Sequence, residues 1–571
     1  MIRNAPGRLA GGIALFGILA TFCPGARAQD SSATQPQQAA GTLSTKEFEE
    51  LKAQLAAQQK QIEQLRLALE DQKKQLDRTQ AEKAQPVENA SKFSLPATQK
   101  LGEVASTAPM IPPVSGLSPS GVSAQTGGSG AEEVAPLFFR IGAAKFTPLG
   151  FVDVTSVFRS KNTASGIGSS FGGVPFGNSV TGNQTENRFS LQNSRIGFRI
   201  DSHVLGGDAI GYLETDFLGN APNGLLTTSN SNTLRLRLFW FDWRRDKFEF
   251  LGGQTWSLLT PNRKGLSALP GDLFYSQDID TNYQAGLSWT RAAEVRFIYH
   301  ANDHVTAGVA LENPEQYVGG GVTFPASLSS ALGGQFGNGS SPNNSPNLHP
   351  DIIGKVAFDG TAGGRAMHFE VGGVYRTFQD FIPASTATPT AYSGQKNYAS
   401  GGGGEANGVF EVAKNFRLIA TSFFGTGIGR YIQGLAPDLV VKPNGQISTV
   451  NTASGIGGFE YSFKPKDNPT NRETLIYSYY GGVYVDRNYF ADAAGKLSGY
   501  GFSGSAGSNN RSIQEATIGL TQTLWKNPTY GDLKLMTQYS YLTRNPWYVA
   551  TGAPGHADLH MVFVNLRYDI P

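Results

Sequence analysis

Cysteine is almost missing from this chain: among 571 residues there is one, Cys23. Neither a disulfide scaffold nor a zinc or iron–sulfur site held by several thiolates can be built from it. Charge is scarce as well, at 16% of residues against the usual ~25%. The 47 basic and 45 acidic side chains nearly cancel, to +2, so no chain-wide field exists to draw nucleic acid and that partner is excluded as a default. Beyond the N-terminal segment there is no run of ~18 apolar residues, which rules out an α-helical membrane span. What the chain has in quantity is glycine, 70 residues, and aromatics, with 35 Phe, 21 Tyr and 6 Trp.

Arg3 and Arg8 precede an apolar run from Leu9 to Phe22, and Ala26-Arg27-Ala28 follows in the small-x-small form at which secretory signals are cut. Residues 1–28 are therefore predicted as a signal peptide. Cleavage removes Cys23, and the loss of Arg3, Arg8 and Arg27 takes the formal charge from +2 to −1. Phe22 stands where a lipoprotein signal carries a small residue, which argues against lipidation. A secreted or periplasmic soluble protein and an outer-membrane β-barrel remain as classes.

After a polar stretch from Gln29 to Gly41, apolar residues recur every seventh position and between, at Phe48, Leu51, Leu55, Ile62, Leu65, Leu69 and Leu76. Ser44 and Glu47 form a capping box at the start. The pattern predicts a short coiled-coil helix within 29–83. Gln58 and Gln72 interrupt the seam, which weakens it and favours one register, as an oligomerisation helix requires; an isolated solvated helix is the alternative. Residues 84–136, rich in Pro, Gly, Ser, Ala and Gln, are predicted as a flexible linker.

From Phe146 the hydrophobic period becomes two. Val152, Val154 and Phe158 alternate with Asp153 and Thr155, and Ile196, Phe198 and Ile200 with Arg195, Gly197 and Arg199. Leu213 and Phe217 oppose Glu214 and Asp216; Leu234, Leu236, Leu238 and Trp240 oppose Arg235 and Arg237. One face is apolar and the other fully charged, as in a transmembrane strand, although a soluble sandwich also alternates.

Connection lengths separate the two. Strands are predicted at 146–159, 187–201, 208–218, 232–244, 246–257, 289–300, 304–312, 351–359, 366–378, 405–413, 416–427, 455–464, 473–486, 511–524, 532–542 and 558–570. The links alternate long and short throughout, eight against seven, the signature of long outer loops and short periplasmic turns. Soluble domains rarely carry such long structureless loops. The short links hold turn formers, for example Ala301-Asn302-Asp303, Asp359-Gly360, and the two prolines between Lys464 and Arg472. Aromatics on the predicted outward parity gather near strand ends, at Phe158, Trp240, Tyr299, Tyr375, Tyr461, Tyr539, Tyr541 and Tyr568, as interfacial girdles do. An all-β transmembrane fold follows: a 16-stranded antiparallel barrel over 137–571, closed by pairing its first strand with its last.

Several stretches of this region resemble the DcaP-like outer-membrane porin family, relatives of the trimeric sixteen-stranded general porins. They are Gln192-Asn193-Ser194-Arg195-Ile196-Gly197-Phe198, Glu214-Thr215-Asp216-Phe217, Leu234-Arg235-Leu236-Arg237 and Gly253-Gln254-Thr255-Trp256-Ser257. Leu311-Glu312-Asn313-Pro314-Glu315, Gly425-Thr426-Gly427-Ile428-Gly429-Arg430-Tyr431 and the terminal Leu566-Arg567-Tyr568-Asp569-Ile570-Pro571 continue the set, in order along about three-quarters of the chain. Many porins end in Phe, whereas this chain ends Tyr568-Asp569-Ile570-Pro571, as that family does. The resemblance implies a homotrimer in the outer membrane of a Gram-negative-type envelope, the helix in the periplasm, and small hydrophilic solutes, with a leaning to anions such as dicarboxylates. Peptidoglycan is a candidate contact of the helix.

The pore-lining set predicted from strand parity is Arg195, Arg199, Glu214, Asp216, Arg235, Arg237, Arg296 and Arg376. Opposite charges held apart across a water-filled lumen set up a transverse field that biases ion traffic. Lateral ion pairs between adjacent strands are the alternative, since strands ~4.8 Å apart allow such pairing. The link at 258–288 carries Arg263, Lys264, Asp272, Asp278 and Asp280. By counting it is the third long loop, which the resemblance implies folds inward as a constriction.

No cofactor or metal is predicted. His556, Asp558 and His560 share one strand parity, and His300, Asp303 and His304 span a turn, but both read as solvated polar residues. Gly401 to Gly404 and Gly425-x-Gly427-x-Gly429 lack the strand-turn-helix setting of a phosphate site and read as loop and strand-end glycines. Two other functions stay open: a barrel hydrolase, which requires a Ser–His arrangement with no local signature here, and a structural anchor or adhesin working through the helix. The reading is of a non-enzymatic porin.

Overall fold

The computed structural model describes residues 138–570 apart from 220–231, 320, 338–346, 385–393, 464–471 and 528. The predicted signal peptide, coiled coil and linker, 1–28, 29–83 and 84–136, lie outside the described residues, as does most of the Lys464 to Arg472 turn.

Sixteen spanning strands close into one antiparallel barrel. The first eight are β1 (Ala144–Arg159), β2 (Glu186–Ser190 continued by Arg195–Val204), β3 (Gly207–Asp216), β4 (Arg235–Arg245), β5 (Phe248–Trp256), β6 (Arg291–His300), β7 (Val305–Glu312) and β8 (Asp351–Ala362). The rest are β9 (Arg365–Ile382), β10 (Gln395–Ala413), β11 (Phe416–Thr426), β12 (Asn451–Phe463), β13 (Thr474–Val485), β14 (Asn510–Asn527), β15 (Gly531–Pro546) and β16 (Ala557–Asp569). Each pairs with its chain neighbours, and β1 pairs with β16 from Phe151↔Asp569 to Arg159↔Met561, so the sheet has no open edge. A short strand, Phe139–Ile141, folds back on the start of β1. Closure satisfies the backbone within the sheet, the condition for strands to cross lipid.

Inward and outward residues alternate as the period-two pattern requires. Val152 is 52% exposed on the outer face while its neighbour Asp153 is 0% exposed on the inner one. The break in β2 has a local cause. Its first segment pairs with Thr155–Arg159 and its second with Lys145–Phe151, and the Ser194 hydroxyl accepts the Asp153 N–H at 2.9 Å where the ladder is interrupted.

Two expectations are corrected by local geometry. Leu238 and Trp240 share no face with Leu234 and Leu236: the β3–β4 register shifts between Glu214 and Thr215. This irregularity turns Leu238 and Trp240 inward, to 0% and 4% exposure, and puts Phe239 and Phe241 on the outer face. The other aromatics named for the girdle are outward and exposed. Gly401 to Gly404 are not loop: they lie inside β10, which begins ten residues before its predicted start. Gly401 needs its missing side chain, because a Cβ there would stand 2.7 Å from the Thr426 carbonyl oxygen.

The eight long connections share one end of the barrel, and some carry structure of their own. Leu439–Val441 pairs with Ile447–Thr449 in the link at 427–450, and Asn488–Ala491 with Leu497–Tyr500 in the link at 486–509.

Candidate functional site

The third long link, 257–290, turns into the lumen and docks on the far wall. On its outward run the Leu258 N–H donates to Glu312 at 2.9 Å, the Asn262 N–H to Glu370 on β9 at 3.1 Å, and Lys355 on β8 donates to the Thr260 carbonyl at 3.1 Å. Arg263 then meets Glu460 on β12 with both guanidinium ends, at 2.8 and 2.7 Å. Farther along, the Gln277 N–H donates to the Tyr479 hydroxyl on β13 at 3.1 Å, the Ile279 N–H to Gln538 on β15, and the Ala285 N–H to Glu515 on β14 at 2.8 Å. A loop that satisfies its backbone on wall side chains can stay in the lumen without leaving buried polar groups unpaired.

Aromatic packing adds to these bonds. Trp256, Tyr275, Tyr283 and Trp289 stack among themselves at ring-centroid distances of 5.1–6.2 Å and join a buried cluster with Tyr212, Trp240, Tyr477 and Tyr479 of the wall. Gly286 permits a close approach to the wall. Its φ is +100°, and a Cβ there would stand 2.4 Å from the Gly455 carbonyl oxygen and 2.6 Å from the Gly482 nitrogen.

Most of the predicted pore-lining residues meet their opposite charges on the wall. Arg195 pairs with Glu214 at 3.3 Å, Arg237 with Glu214 at 2.7 Å and Asp216 at 2.8 Å, and Arg235 with Asp216 at 2.7 Å. Arg296 binds Glu294 at 2.6 Å and the Trp256 carbonyl at 2.8 Å. Arg376 binds Asp351 at 3.0 Å and Asp438 at 2.8 Å, and also donates to the Gly427 and Glu315 carbonyls. Arg199, half-buried, pairs with Asp201 at 2.8 Å. The lateral pairing that strand spacing allows is thus realised, and Arg296 and Arg376 are enclosed in it at 1% and 0% exposure. Arg237 and Arg291 both lie over the Trp256 ring, at 5.6 and 5.5 Å, and Arg195, Arg235 and Arg237 share the carboxylates of Glu214 and Asp216.

A narrow gap lies between loop and wall. It holds about 30 Å³ and is bounded by Arg195, Met536 and Arg567 on the wall and by Gln277, Asp278, Asp280 and Tyr283 on the loop. Arg567 is fixed by Asp153, at 2.7 Å, and lies 4.1 Å over the Phe151 ring; Arg195 lies 5.2 Å over the same ring. Asp278 accepts the Ser276 hydroxyl at 2.9 Å. Burial pushes its carboxyl up to about 8, the Asp280 and Glu460 carboxylates add to the rise, and the Ser276 bond opposes it. Asp280 accepts the Ser169 N–H at 3.1 Å and the Asn282 N–H at 2.8 Å, tying the first long loop to the third. Lys264 and Asp272 are half-buried at the other end of the loop, away from this gap.

Several participants were not singled out from sequence. Lys355 joins Glu370 and Glu405 at 2.9 Å each, and His368 touches Asp359 at 2.9 Å and Glu370 at 3.2 Å. Glu405 opens the strand predicted at 405–413, and its pairing with Lys355 of β8 is visible only in the structure. The histidines set aside as polar residues have such partners: His300 meets Glu249 at 2.7 Å, His560 meets the Tyr539 hydroxyl at 2.8 Å, and Asp558 pairs with Lys161 at 3.1 Å.

A closed sixteen-stranded antiparallel barrel with a long loop laid across its lumen defines a porin-type outer-membrane fold. The chain shares this fold with the outer-membrane channel DcaP of Acinetobacter baumannii, with a TM-score of 0.52 at 18% identity over 76% of this chain and 99% of that one. Outer-membrane expressed OmpT of Vibrio cholerae gives 0.38 at 10% identity over 76% and 100%, and an anion-selective porin from Comamonas acidovorans 0.40 at 12% over 75% and 100%. No family model matches the sequence, and no curated protein does.

Proposed function

We propose that the protein is an outer-membrane porin that passes small hydrophilic solutes by diffusion through a charged constriction formed where the third loop lies in the lumen. The observation that carries this reading is the third loop seated in the lumen of a closed barrel, with Arg195 and Arg567 of the wall and Asp278 and Asp280 of the loop lining one pocket between them. Fixed charges of opposite sign across a narrow aqueous gap orient dipolar solutes and discriminate between ions. The upward shift of the Asp278 carboxyl to about 8 lessens the negative charge facing Arg195 and Arg567 near neutral pH, which supports a leaning to small anions such as dicarboxylates. Trimerisation in the membrane and a periplasmic coiled coil, with peptidoglycan as its contact, complete the proposal on the heptads and the family resemblance. No covalent chemistry is assigned.

Single-channel conductance of the mature protein in a planar bilayer under a salt gradient tests it. Openings in steps of three and a reversal potential of the anion-selective sign are expected. Correctly folded barrel that conducts nothing overturns the porin reading in favour of the hydrolase or anchor, and a cation-selective potential overturns the anion leaning.

A further inference from the structure

On the long-loop side of the constriction lies a second cavity, of about 510 Å³, inside the ~300–1,000 Å³ range of small-molecule sites. Its walls come from the links at 160–185, 313–350, 427–450 and 486–509, and Asn282 of the third loop contributes to the lining. Among the described lining residues none is charged, in contrast to the wall below. The lining offers tyrosine rings at Tyr317 and Tyr500, amides at Gln433, Asn510 and Asn282, and serine hydroxyls.

Gln433 is held in an uncommon way. Its φ is +52°, a left-handed conformation that a long side chain seldom adopts, and Gly434 follows at +64°. The buried amide oxygen of Gln433 has no hydrogen-bond partner in the protein. The cavity also leads to the constriction through hydrogen bonds: Asn282 donates to the Ser169 carbonyl at 2.9 Å, and the backbone N–H groups of both residues donate to Asp280.

We propose that this cavity is a binding step for neutral polyhydroxylated solutes, short oligosaccharides in particular, ahead of the constriction. The inference rests on the porin reading and names a solute class within it. Hydroxyl groups match amide and phenol partners, and the C–H faces of sugar rings match tyrosine rings.

The test uses the mature full-length protein and maltotriose as probe. In a planar bilayer, maltotriose added to each compartment in turn is expected to block the single-channel current saturably and from one side. Losing both side-chain contacts through Gln433→Asn, which keeps a residue suited to a left-handed backbone, and Tyr317→Phe is expected to raise the half-blocking concentration about tenfold. Channels that conduct but are blocked from neither side, or a half-blocking concentration unchanged in the double variant, overturn the inference and leave the porin reading standing. Titration calorimetry in detergent gives an answer that needs no conductance. Saturable heat with the wild type that weakens in the double variant supports the site even if the channel is silent, and no heat overturns it.

Discussion

Arg263 on the third long loop and Glu460 on β12 form a two-point ion pair, 2.8 and 2.7 Å, with both side chains almost fully enclosed. The Tyr479 hydroxyl donates to the same carboxylate at 2.7 Å and in turn accepts from the Gln277 backbone, so one wall carboxylate organises two points of the loop. The loop is therefore a fixed part of the barrel interior, held by charge-assisted bonds where water is excluded.

Removing one partner of that pair leaves the other charged and buried. Arg263→Ala is expected to cost about 3–5 kcal/mol of stability, read as a lower unfolding temperature in detergent, and to widen the pore as the loop leaves the wall, read as a larger single-channel conductance. Arg263→Ala combined with Glu460→Ala is expected to regain part of the stability but not the original conductance. An unchanged conductance in both variants would sink the assignment of the loop as the constriction.

The protonation of Asp278 sets a pH dependence. Its carboxyl is raised to about 8 by burial, with Asp280 and Glu460 adding to it. Below that pH the group is neutral and Arg195 and Arg567 are opposed by less negative charge; above it the carboxylate forms. The anion-over-cation permeability ratio is expected to fall as pH rises from 7 to 9, at about a unit either side of the midpoint. Reversal potentials across that range check it, and Asp278→Asn is expected to abolish the step.

Gly286 tests the seating of the loop without touching a charge. At φ +100°, with a prospective Cβ only 2.4 Å from the Gly455 oxygen, Gly286→Ala combines backbone strain of about 1–3 kcal/mol with a steric clash. A lower yield of folded barrel, or folded barrel with noisier and larger openings, is expected. Wild-type stability and conductance together would show that the loop is not tightly seated there.

Wall arginines differ in what they control. Arg195→Ala with Arg567→Ala is expected to lower anion preference several-fold, because these two face the gap. Arg376→Ala is expected to leave selectivity nearly unchanged and to destabilise the barrel by about 3–5 kcal/mol, since it uncovers the buried Asp351 and Asp438 carboxylates. Paired measurements of reversal potential and unfolding temperature separate the two roles.

Much of the architecture is legible in the sequence because it depends on local order. Alternation such as Val152-Asp153-Val154-Thr155 sets which face of a strand meets lipid, and the lengths between strands set which end carries loops; neither requires knowledge of distant contacts. The errors arose where a single residue altered the period. The register shift beside Arg237 sent Leu238 and Trp240 inward, and Gly401 to Gly404, which have no side chains to show a parity, hid the first half of β10.

By itself the sequence determined the number of spans, their polarity and the identity of the third loop, because a period of two and the spacing of turns are properties of the chain read locally. Only the tertiary structure decided what the inward charges do. Arg263 and Glu460 are 197 positions apart, and Asp278 faces Arg195 and Arg567 from separate parts of the chain. Whether an arginine ends in an ion pair or faces a gap depends on where closure of the sheet and the path of one loop bring its partners, and no local pattern records that.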